Sequence, residues 1–309
     1  MRATRWILLA ATLSLVACGH SAFQAGTPVV SQPATSASAA TNASVFTPPA
    51  ESAIPVDDFG KQVALGRQIF LDPGRYAKAY VGNSLSCESC HLNAGRLAHA
   101  APLWGAYPMY PAYRSKNHHV NTFAERLQGC FNYSMNGKAP PLGDPVLVAL
   151  ESYAYWMSKG APLGTSLPGR GYPRLPKPAA VPDYARGEAV FKRDCALCHG
   201  ADGQGQQAAG RTVFPPLWGP QSFNWGAGME QIGNAAGFIK ANMPLGRGNT
   251  LTDQDAWDVA YFMDAHERPQ DPRYNGSIPA ARAAYHDTPD SLYGTQVNGQ
   301  LLGQGVPVR

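Results

Sequence analysis

The pattern of apolar and polar residues divides the chain into a short apolar start, a polar stretch without periodicity and a long remainder with helical periodicity. The apolar run Ile7–Ala17 has 11 residues and follows Arg2 and Arg5. This run is too short to span a bilayer, so it is typical of a cleaved targeting segment. Residues 19–54 are rich in Ser, Ala, Thr and Pro and carry no charge before Glu51, which predicts a flexible tether.

Two later stretches combine aromatic and aliphatic residues, and they predict helices at roughly Pro145–Met157 and Thr252–His266. The second stretch opens with Thr-Asp-Gln-Asp, which is typical of a capped helix N-terminus. Between them, residues 160–183 contain six prolines and four glycines, which exclude a helix and predict a linker. The chain therefore has two helical halves.

The two halves also repeat each other in sequence. Leu-Gly-Arg-Gln-Ile-Phe at 65–70 corresponds to Ala-Arg-Gly-Glu-Ala-Val-Phe at 185–191, with a Gly four residues before the Phe in both. Pro-Leu-Trp-Gly occurs at 102–105 and again at 216–219. We interpret the shared Trp and helices as core packing, so the predicted fold is mainly α with two tandem domains. The predicted boundaries are a signal peptide of lipoprotein type at 1–17, the tether at 18–54, domain 1 at 55–159, the linker at 160–183, domain 2 at 184–268 and a C-terminal extension at 269–309.

Composition and charge narrow the class of protein. With 309 residues and 44% hydrophobic content, the chain can supply a core for each domain. Without the signal, 23 Lys and Arg face 21 Asp and Glu, and this near-balance gives no case for nucleic-acid binding. No other stretch approaches 18 apolar residues, so membrane contact is expected only through an anchor.

Four of the six cysteines lie in two Cys-x-x-Cys-His motifs, which predict covalent haem. The first motif comprises Cys87, Cys90 and His91, and the second comprises Cys195, Cys198 and His199. In such a motif the two thiols form thioethers with a haem and the His binds its iron. Each half is therefore expected to be a cytochrome c domain with one haem c.

The other two cysteines have different predicted uses. Leu15-Val16-Ala17-Cys18 resembles a bacterial lipobox, which would place a lipid on Cys18 and anchor the protein to a membrane facing the periplasm. The alternative is a plain secretory signal with a chance Cys. Cys130 is left without an intramolecular partner, and coordination would protect it in an oxidising compartment.

The sixth ligand of each haem iron separates electron carriers from catalysts. In the second half we favour Met243, which lies 44 residues after His199 and precedes a Pro. Met229 and Lys240 are the alternatives. Chemistry alone leaves the first half open among six residues: His99, Met109, His118, His119, Cys130 and Met135.

The segment 91–140 carries a local excess of positive charge, with five Lys and Arg residues against Glu125 alone. A solvated face or contacts to haem propionates could account for part of this excess. The sharper hypothesis is a small-anion site beside the first haem. The cations are Arg96, Arg114, Lys116, Arg126 and Lys138.

Several segments resemble thiosulfate dehydrogenases of the TsdA type. The most specific is Arg-Leu-Gln-Gly-Cys-Phe-Asn-Tyr-Ser-Met-Asn-Gly at 126–137, which is similar to the family segment carrying a haem-ligating Cys. The resemblance runs from about Val56 to Arg273. Other similar segments are 113–117, 120–126, 214–219, 242–246 and 266–273.

The resemblance implies a periplasmic enzyme that couples two thiosulfates into tetrathionate and passes two electrons to a redox partner such as a small cytochrome c. The reverse reaction is also possible. Haem 1 would be catalytic, with His91 and Cys130 as its axial ligands, and haem 2 would have His199 and Met243. The residues implied for the substrate site are Arg126 and Ser134, with either Lys116 or Arg114 as a further cation.

One position departs from the family pattern. Some relatives carry Lys immediately before the distal Met, where this chain has Asn242. We therefore expect haem 2 to keep Met ligation throughout.

Three other classes of protein share parts of this pattern. A Sox-type sulfur-oxidising cytochrome also uses a His/Cys haem but needs a partner subunit, and a dihaem peroxidase needs an open distal site. A non-catalytic dihaem electron carrier is the alternative from a different class. A carrier has no need of an unpaired Cys130 in a basic segment.

Overall fold

The structure is a computed structural model, and it describes residues 45–307. The predicted signal peptide, the lipid site at Cys18 and most of the predicted tether lie outside the described residues. No helix among residues 45–307 has the length and apolar character needed to cross a membrane.

The prediction of a mainly α fold is confirmed. The first half contains α1 (Asp58–Leu71), α2 (Pro73–Tyr76), α3 (Leu92–Gly95), α4 (Leu103–Ala106), α5 (Phe123–Gly129) and α6 (Pro145–Met157). The second half contains α7 (Tyr184–Asp194), α8 (Ala196–His199), α9 (Ile232–Asn242) and α10 (Asp253–Asp264), and α11 (Ile278–Ala281) follows. Short 3₁₀ turns occur at Glu51–Ala53, Lys78–Tyr80, Cys87–Ser89, Tyr107–Met109 and Gly228–Glu230, and π-helical turns at Cys130–Ser134 and Arg282–His286.

Six short strands form three separate antiparallel hairpins within the described part of the chain. They pair β1 (Ala112–Arg114) with β2 (His119–Asn121), β3 (Gln206–Ala208) with β4 (Arg211–Phe214), and β5 (Gln296–Val297) with β6 (Gln300–Leu301). The first hairpin has Arg114 opposite His119. These hairpins are short additions to a mainly helical fold.

The core of the first half is the crossing of α1 with α6. The Asp57 carboxylate caps α1 by accepting a hydrogen bond from the backbone N–H of Gly60 at 2.8 Å. Gly66 allows the close approach, because a Cβ there would lie 2.0 Å from the carbonyl oxygen of Ala149 in α6. The crossing buries Ile69 and Phe70.

The second half repeats this crossing with α7 and α10. A Cβ on Gly187 would lie 2.1 Å from the carbonyl oxygen of Asp258 in α10. The Thr252 hydroxyl caps α10 by accepting from the N–H of Asp255 at 3.0 Å. The Gly that both halves carry four residues before Phe is therefore explained by helix packing.

The segment that joins the halves runs along both of them and has no helix, as its prolines and glycines predict. The N–H of His99 donates to the carbonyl of Gly169 at 2.7 Å. Further along, the Tyr172 ring packs edge-on against Phe238 of α9, with ring centroids 5.4 Å apart. This segment is thus a packed connection.

Residues near both ends of the described chain pack against the two domains. Phe46, which the sequence analysis assigned to the tether, lies 5.5 Å from Trp104 between ring centroids. In the C-terminal extension, Tyr293 and Leu302 are fully buried, and Tyr293 packs edge-on against Trp225.

Candidate active site and haem centres

The first Cys-x-x-Cys-His motif forms a tight turn that fixes the orientation of His91. The Nδ1 of His91 donates to the carbonyl oxygen of Ala101 at 2.8 Å, which leaves Nε2 as the free ring nitrogen. Burial lowers the pKa of His91, so the ring is held neutral and can bind iron. Burial also raises the pKa of the Cys87 thiol, and it raises that of Cys90 to about 12.

The second motif repeats this arrangement. The Nδ1 of His199 donates to the carbonyl oxygen of Pro215 at 2.9 Å, and burial again lowers the pKa of the ring. A cavity of about 1340 Å³ is lined by residues of both motifs, among them Cys90, Cys198 and His199. Two oriented, neutral imidazoles and paired thiols beside a large cavity fit two haems.

Cys130 begins a π-helical turn, Cys130–Ser134, that continues from α5. The helix begins at a capping box in which Thr122 and Glu125 satisfy each other's backbone N–H groups. Arg126 and Cys130 share one face, and the Nη1 of Arg126 donates to the Cys130 Sγ at 2.9 Å. π-Helical turns occur often at functional sites, and here the turn presents a sulfur beside a cation.

The Cys130 thiol lies near the two thiols of the first haem motif. Its thiol is close enough to Cys87 and Cys90 to raise the pKa of both, in addition to the effect of burial. The same thiol raises the pKa of Arg126, although burial opposes the shift. The three thiols and the guanidinium therefore form one site.

Lys116 lies in the loop between β1 and β2, and its ammonium group lies over the Tyr133 ring, 4.1 Å from the centroid. It also donates to the carbonyl oxygen of Gly226 from the second half. Burial of the ammonium group lowers the pKa of Lys116 to about 8, and the charges of Arg273 and Arg126 contribute further. Of the two predicted cations, Lys116 is therefore the one whose charge interacts with that of Arg126.

The other two predicted substrate residues, Ser134 and Arg114, have no side-chain hydrogen bond to Arg126 or Cys130 within the described residues. Ser134 ends the π-helical turn, and its carbonyl oxygen accepts from the Asn83 amide at 2.8 Å. Arg114 is half-buried at the end of β1. Among the described residues, no hydrogen bond or ion pair links its side chain to Arg126 or Cys130.

Three of the five alternative ligands in the first half, Met135, His118 and His119, lie in surroundings that differ from one another. Met135 is buried in the core, and His118 is exposed. The His119 ring is bonded to Asn121 at 2.7 Å and lies 3.5 Å from Glu125. These placements favour Cys130 as the ligand hypothesis for haem 1.

Three residues compete for the sixth position of haem 2. Lys240 is engaged elsewhere, because its ammonium lies 3.2 Å from the Asp253 carboxylate and donates to the carbonyl of Leu251 at 2.5 Å. Met243 and Met229 both line the cavity beside His199.

We expect Met243→Gly to lower the potential of haem 2 on the order of 100 mV, because a Met ligand raises the potential of a haem. Potentiometric titration of the two haems measures the shift, and the weak far-red band of Met-bound ferric haem should disappear. Met229→Leu is the matched control and should leave both properties unchanged. The opposite pattern would assign Met229 as the ligand.

Sequence reasoning missed three residues that the structure places at this site. Tyr133 lies under Lys116, and Arg273 lies 5.1 Å from the centroid of the same ring. Burial raises the pKa of Tyr172 well above its usual range, and Cys90 and Cys130 are close enough to add to the shift. Tyr133 could have been noted, because it falls within the segment 126–137. Arg273 likewise falls within the segment 266–273, but only the chain fold brings it and Tyr172 here.

Both halves match cytochrome c family models. Residues 75–163 match a family described as SoxA/TsdA, cytochrome c domain. Residues 182–263 match one described as cytochrome C oxidase, cbb3-type, subunit III. The protein is therefore a dihaem c-type cytochrome with two covalently bound haems.

Whole-chain comparisons define the family. The chain is 65% identical over 263 residues to a thiosulfate dehydrogenase of Thiomonas intermedia (strain K12), covering 85% of this chain and 84% of the relative. It is 56% identical to a thiosulfate dehydrogenase of Stutzerimonas stutzeri (strain A1501), covering 85% and 86%. The chain belongs to the thiosulfate dehydrogenase family.

A solved structure agrees with this assignment. The thiosulfate dehydrogenase (TsdBA) from Marichromatium purpuratum, in its as-isolated form, superposes with a TM-score of 0.82 at 50% identity. The match covers 85% of this chain and 59% of the solved chain, so the solved chain is considerably longer.

Proposed function

We propose that the protein oxidises thiosulfate at haem 1, joining two thiosulfate dianions into tetrathionate with release of two electrons. The observation that carries this proposal is the hydrogen bond from Arg126 Nη1 to Cys130 Sγ near the thiols of the first haem motif. A sulfur next to a half-buried cation is suited to sulfur oxyanion chemistry and has no purpose in a simple carrier. The relatives named thiosulfate dehydrogenase support the same substrate.

The proposed haem 1 site contains His91 and Cys130 as iron ligands, with Cys87 and Cys90 attaching the haem. The forming S–S bond must bring two dianions together, and their repulsion needs fixed positive charge. Arg126 and Lys116 supply that charge, and the charge of Arg126 contributes to the lowered pKa of Lys116. Ser134 remains a proposed substrate contact, and Arg114 is the less favoured cation.

The proposed haem 2 site contains His199 and Met243, with Cys195 and Cys198 attaching the haem. When bound, the haems supply one-electron redox centres that suit a two-electron reaction. Thiolate and Met ligands would give haem 1 the lower potential and haem 2 the higher, so electrons leave through the second half. We propose that a small cytochrome c or another periplasmic carrier receives them.

One assay tests the function. Purified holoprotein is mixed with thiosulfate and an artificial acceptor, and then with tetrathionate and a donor, and both sulfur species are quantified. We expect one tetrathionate for every two thiosulfates and two electrons transferred. Haem-loaded protein that passes electrons between donor and acceptor but converts neither sulfur compound would instead be the dihaem electron carrier. Activity appearing only with a partner subunit would indicate the Sox-type alternative.

We also propose that the protein is periplasmic and tethered by a lipid on Cys18, because the lipobox Leu15–Cys18 precedes a long uncharged stretch. Wild-type protein should sediment with membranes, and Cys18→Ser should release it into the soluble periplasmic fraction. A soluble wild-type protein, or a Cys18→Ser protein that still sediments, would contradict the anchor.

A further inference from the structure

The C-terminal extension brings a charged side chain to the ring of Tyr133. Arg273 lies 4.1 Å from the Tyr285 ring centroid and 5.1 Å from that of Tyr133. Its Nε and Nη2 donate to the two carboxylate oxygens of Asp271, at 2.9 and 2.5 Å. Within residues 45–307 its Nη1 has no hydrogen-bond partner, so one donor group remains free.

Asp271 is itself held by a buried imidazole. The His286 Nε2 lies 3.0 Å from the Asp271 carboxylate, and its Nδ1 lies 3.6 Å from that of Glu230. Ser291 donates to the other Glu230 oxygen at 2.7 Å. The His286 side chain is 1% exposed and that of Asp271 is 0% exposed, so this clamp of Glu230, His286 and Asp271 is sealed from water.

Within the clamp, hydrogen bonds between the acidic groups and the imidazole shift the pKa values of His286 and Asp271 so that the charged form of each is favoured. Burial alone would lower the pKa of His286, but its hydrogen bonds to Asp271 and Glu230 raise it. Burial opposes ionisation of Asp271, but hydrogen bonds from His286 and Arg273 hold the pKa of the carboxyl well below its usual range. The Asp271 carboxylate, held by the His286 ring, thereby fixes the direction of Arg273.

The side chains of Arg273 and Lys116 both lie near the Tyr133 ring, and their positive charges repel each other. The Lys116 ammonium lies 4.1 Å and the Arg273 guanidinium 5.1 Å from the Tyr133 centroid. After burial, Arg273 is the largest cause that lowers the pKa of Lys116, ahead of Arg126. Within the described residues no carboxylate forms an ion pair with Lys116. Asp271 compensates the charge of Arg273, and Glu230 and Asp271 only partly offset the lowered pKa of Lys116. Two cations on one ring, an ammonium without an ion pair in this part of the chain and a guanidinium with a free donor, form a site that an anion would stabilise.

We propose that Arg273 and Lys116 form an outer anion subsite that takes the second thiosulfate dianion, while Arg126 beside Cys130 takes the first. Arg273 is the substrate-binding residue of this subsite, and the clamp of Glu230, His286 and Asp271 positions it. The inference rests on the proposed function and deepens it, because a reaction that joins two thiosulfates needs two anion positions. It also gives the C-terminal extension a role in the chemistry.

The test counts thiosulfate ions bound to electrochemically reduced holoprotein, which can accept no electrons and therefore cannot turn over. Calorimetric titration of the wild type should show two bound thiosulfates per chain. Arg273→Gln should keep one and weaken the other roughly tenfold or more, since a charge-assisted contact is lost. Arg273→Lys should restore most of the affinity by returning the charge.

Steady-state kinetics give a second readout. Arg273→Gln should raise the thiosulfate concentration at half-maximal rate roughly tenfold while leaving the rate at saturation close to that of wild type. His286→Gln should shift the same concentration in the same direction by a smaller factor. Arg193→Gln is the matched control. It breaks an exposed Arg–Asp ion pair on α7 and should change neither thiosulfate binding nor kinetics.

Several outcomes would overturn the subsite. These are a single thiosulfate bound to the wild type, two bound unchanged to Arg273→Gln, or equal losses in Arg273→Gln and Arg193→Gln. Haem content and thermal stability of each variant identify a folding defect, and Arg273→Lys then decides, because it keeps the charge. If the wild type binds two thiosulfates but the turnover assay yields no tetrathionate, the proposed function is wrong and the subsite is still supported.

Discussion

Cys130→Gly is expected to abolish thiosulfate oxidation, with turnover falling at least ~100-fold, because it removes the sulfur that accepts a hydrogen bond from Arg126. The low-spin thiolate-type signal of haem 1 should vanish from the electron paramagnetic resonance spectrum. Two effects should therefore coincide in one variant, the loss of chemistry and the loss of the proposed iron ligand. Both can be measured on the same purified sample.

The rest of the protein should be unaffected by this substitution. Haem attachment should survive, since Cys87 and Cys90 carry that chemistry in the first half. The spectrum and potential of haem 2 should not change, because its predicted ligands belong to the other half. A buried structural Cys would instead cost some stability and leave signal and activity in place. Retained turnover in a fully haem-loaded Cys130→Gly protein would favour the electron-carrier alternative.

Much of the fold could be predicted because local sequence determines it. The α6 helix spans Pro145–Met157, as its apolar pattern predicts, and α10 begins after the predicted cap at Thr252. The Gly-to-Phe spacing repeats because each half needs one close helix crossing, at Gly66 and at Gly187. Motif chemistry likewise predicts two haems without reference to tertiary structure.

The candidate site could be predicted only in part. The pairing of Arg126 with Cys130 follows from four-residue spacing on a helix, and the structure gives the contact. Nothing local signals the π-helical turn at Cys130–Ser134, because its geometry depends on the surrounding packing. Arg273 is separated from Cys130 by more than a domain, so only tertiary structure could place it on the Tyr133 ring.

Contacts from the second half also support the site in the first half. The carbonyl of Gly226 in the second half accepts from Lys116, and a Cβ at Gly226 would lie 2.4 Å from the Tyr133 ring. The Asn224 amide donates to the Asn132 carbonyl at 2.9 Å, within the π-helical turn. The second half therefore supports the first half's pocket as well as carrying the second haem.

Arg126→Gln is expected to lower kcat/KM for thiosulfate by roughly 10- to 100-fold. Gln preserves polarity and removes the positive charge, so the change isolates electrostatics from packing. A charge-assisted hydrogen bond is worth about 1.5–3 kcal/mol, which corresponds to this range of rates. Kinetic measurement with an artificial acceptor gives the ratio directly.

The contact with Cys130 adds a spectroscopic consequence that spacing alone does not predict. Arg126 donates to the Cys130 sulfur at 2.9 Å, so its charge draws electron density away from a thiolate. Without that charge the thiolate should stabilise ferric iron more strongly, and the potential of haem 1 should fall while that of haem 2 stays constant. Arg126→Lys should recover part of both effects. Lys138→Gln is the matched control, since it removes an exposed cation from the same basic segment. A normal kcat/KM together with an unchanged haem 1 potential in Arg126→Gln would show that this arginine serves packing alone.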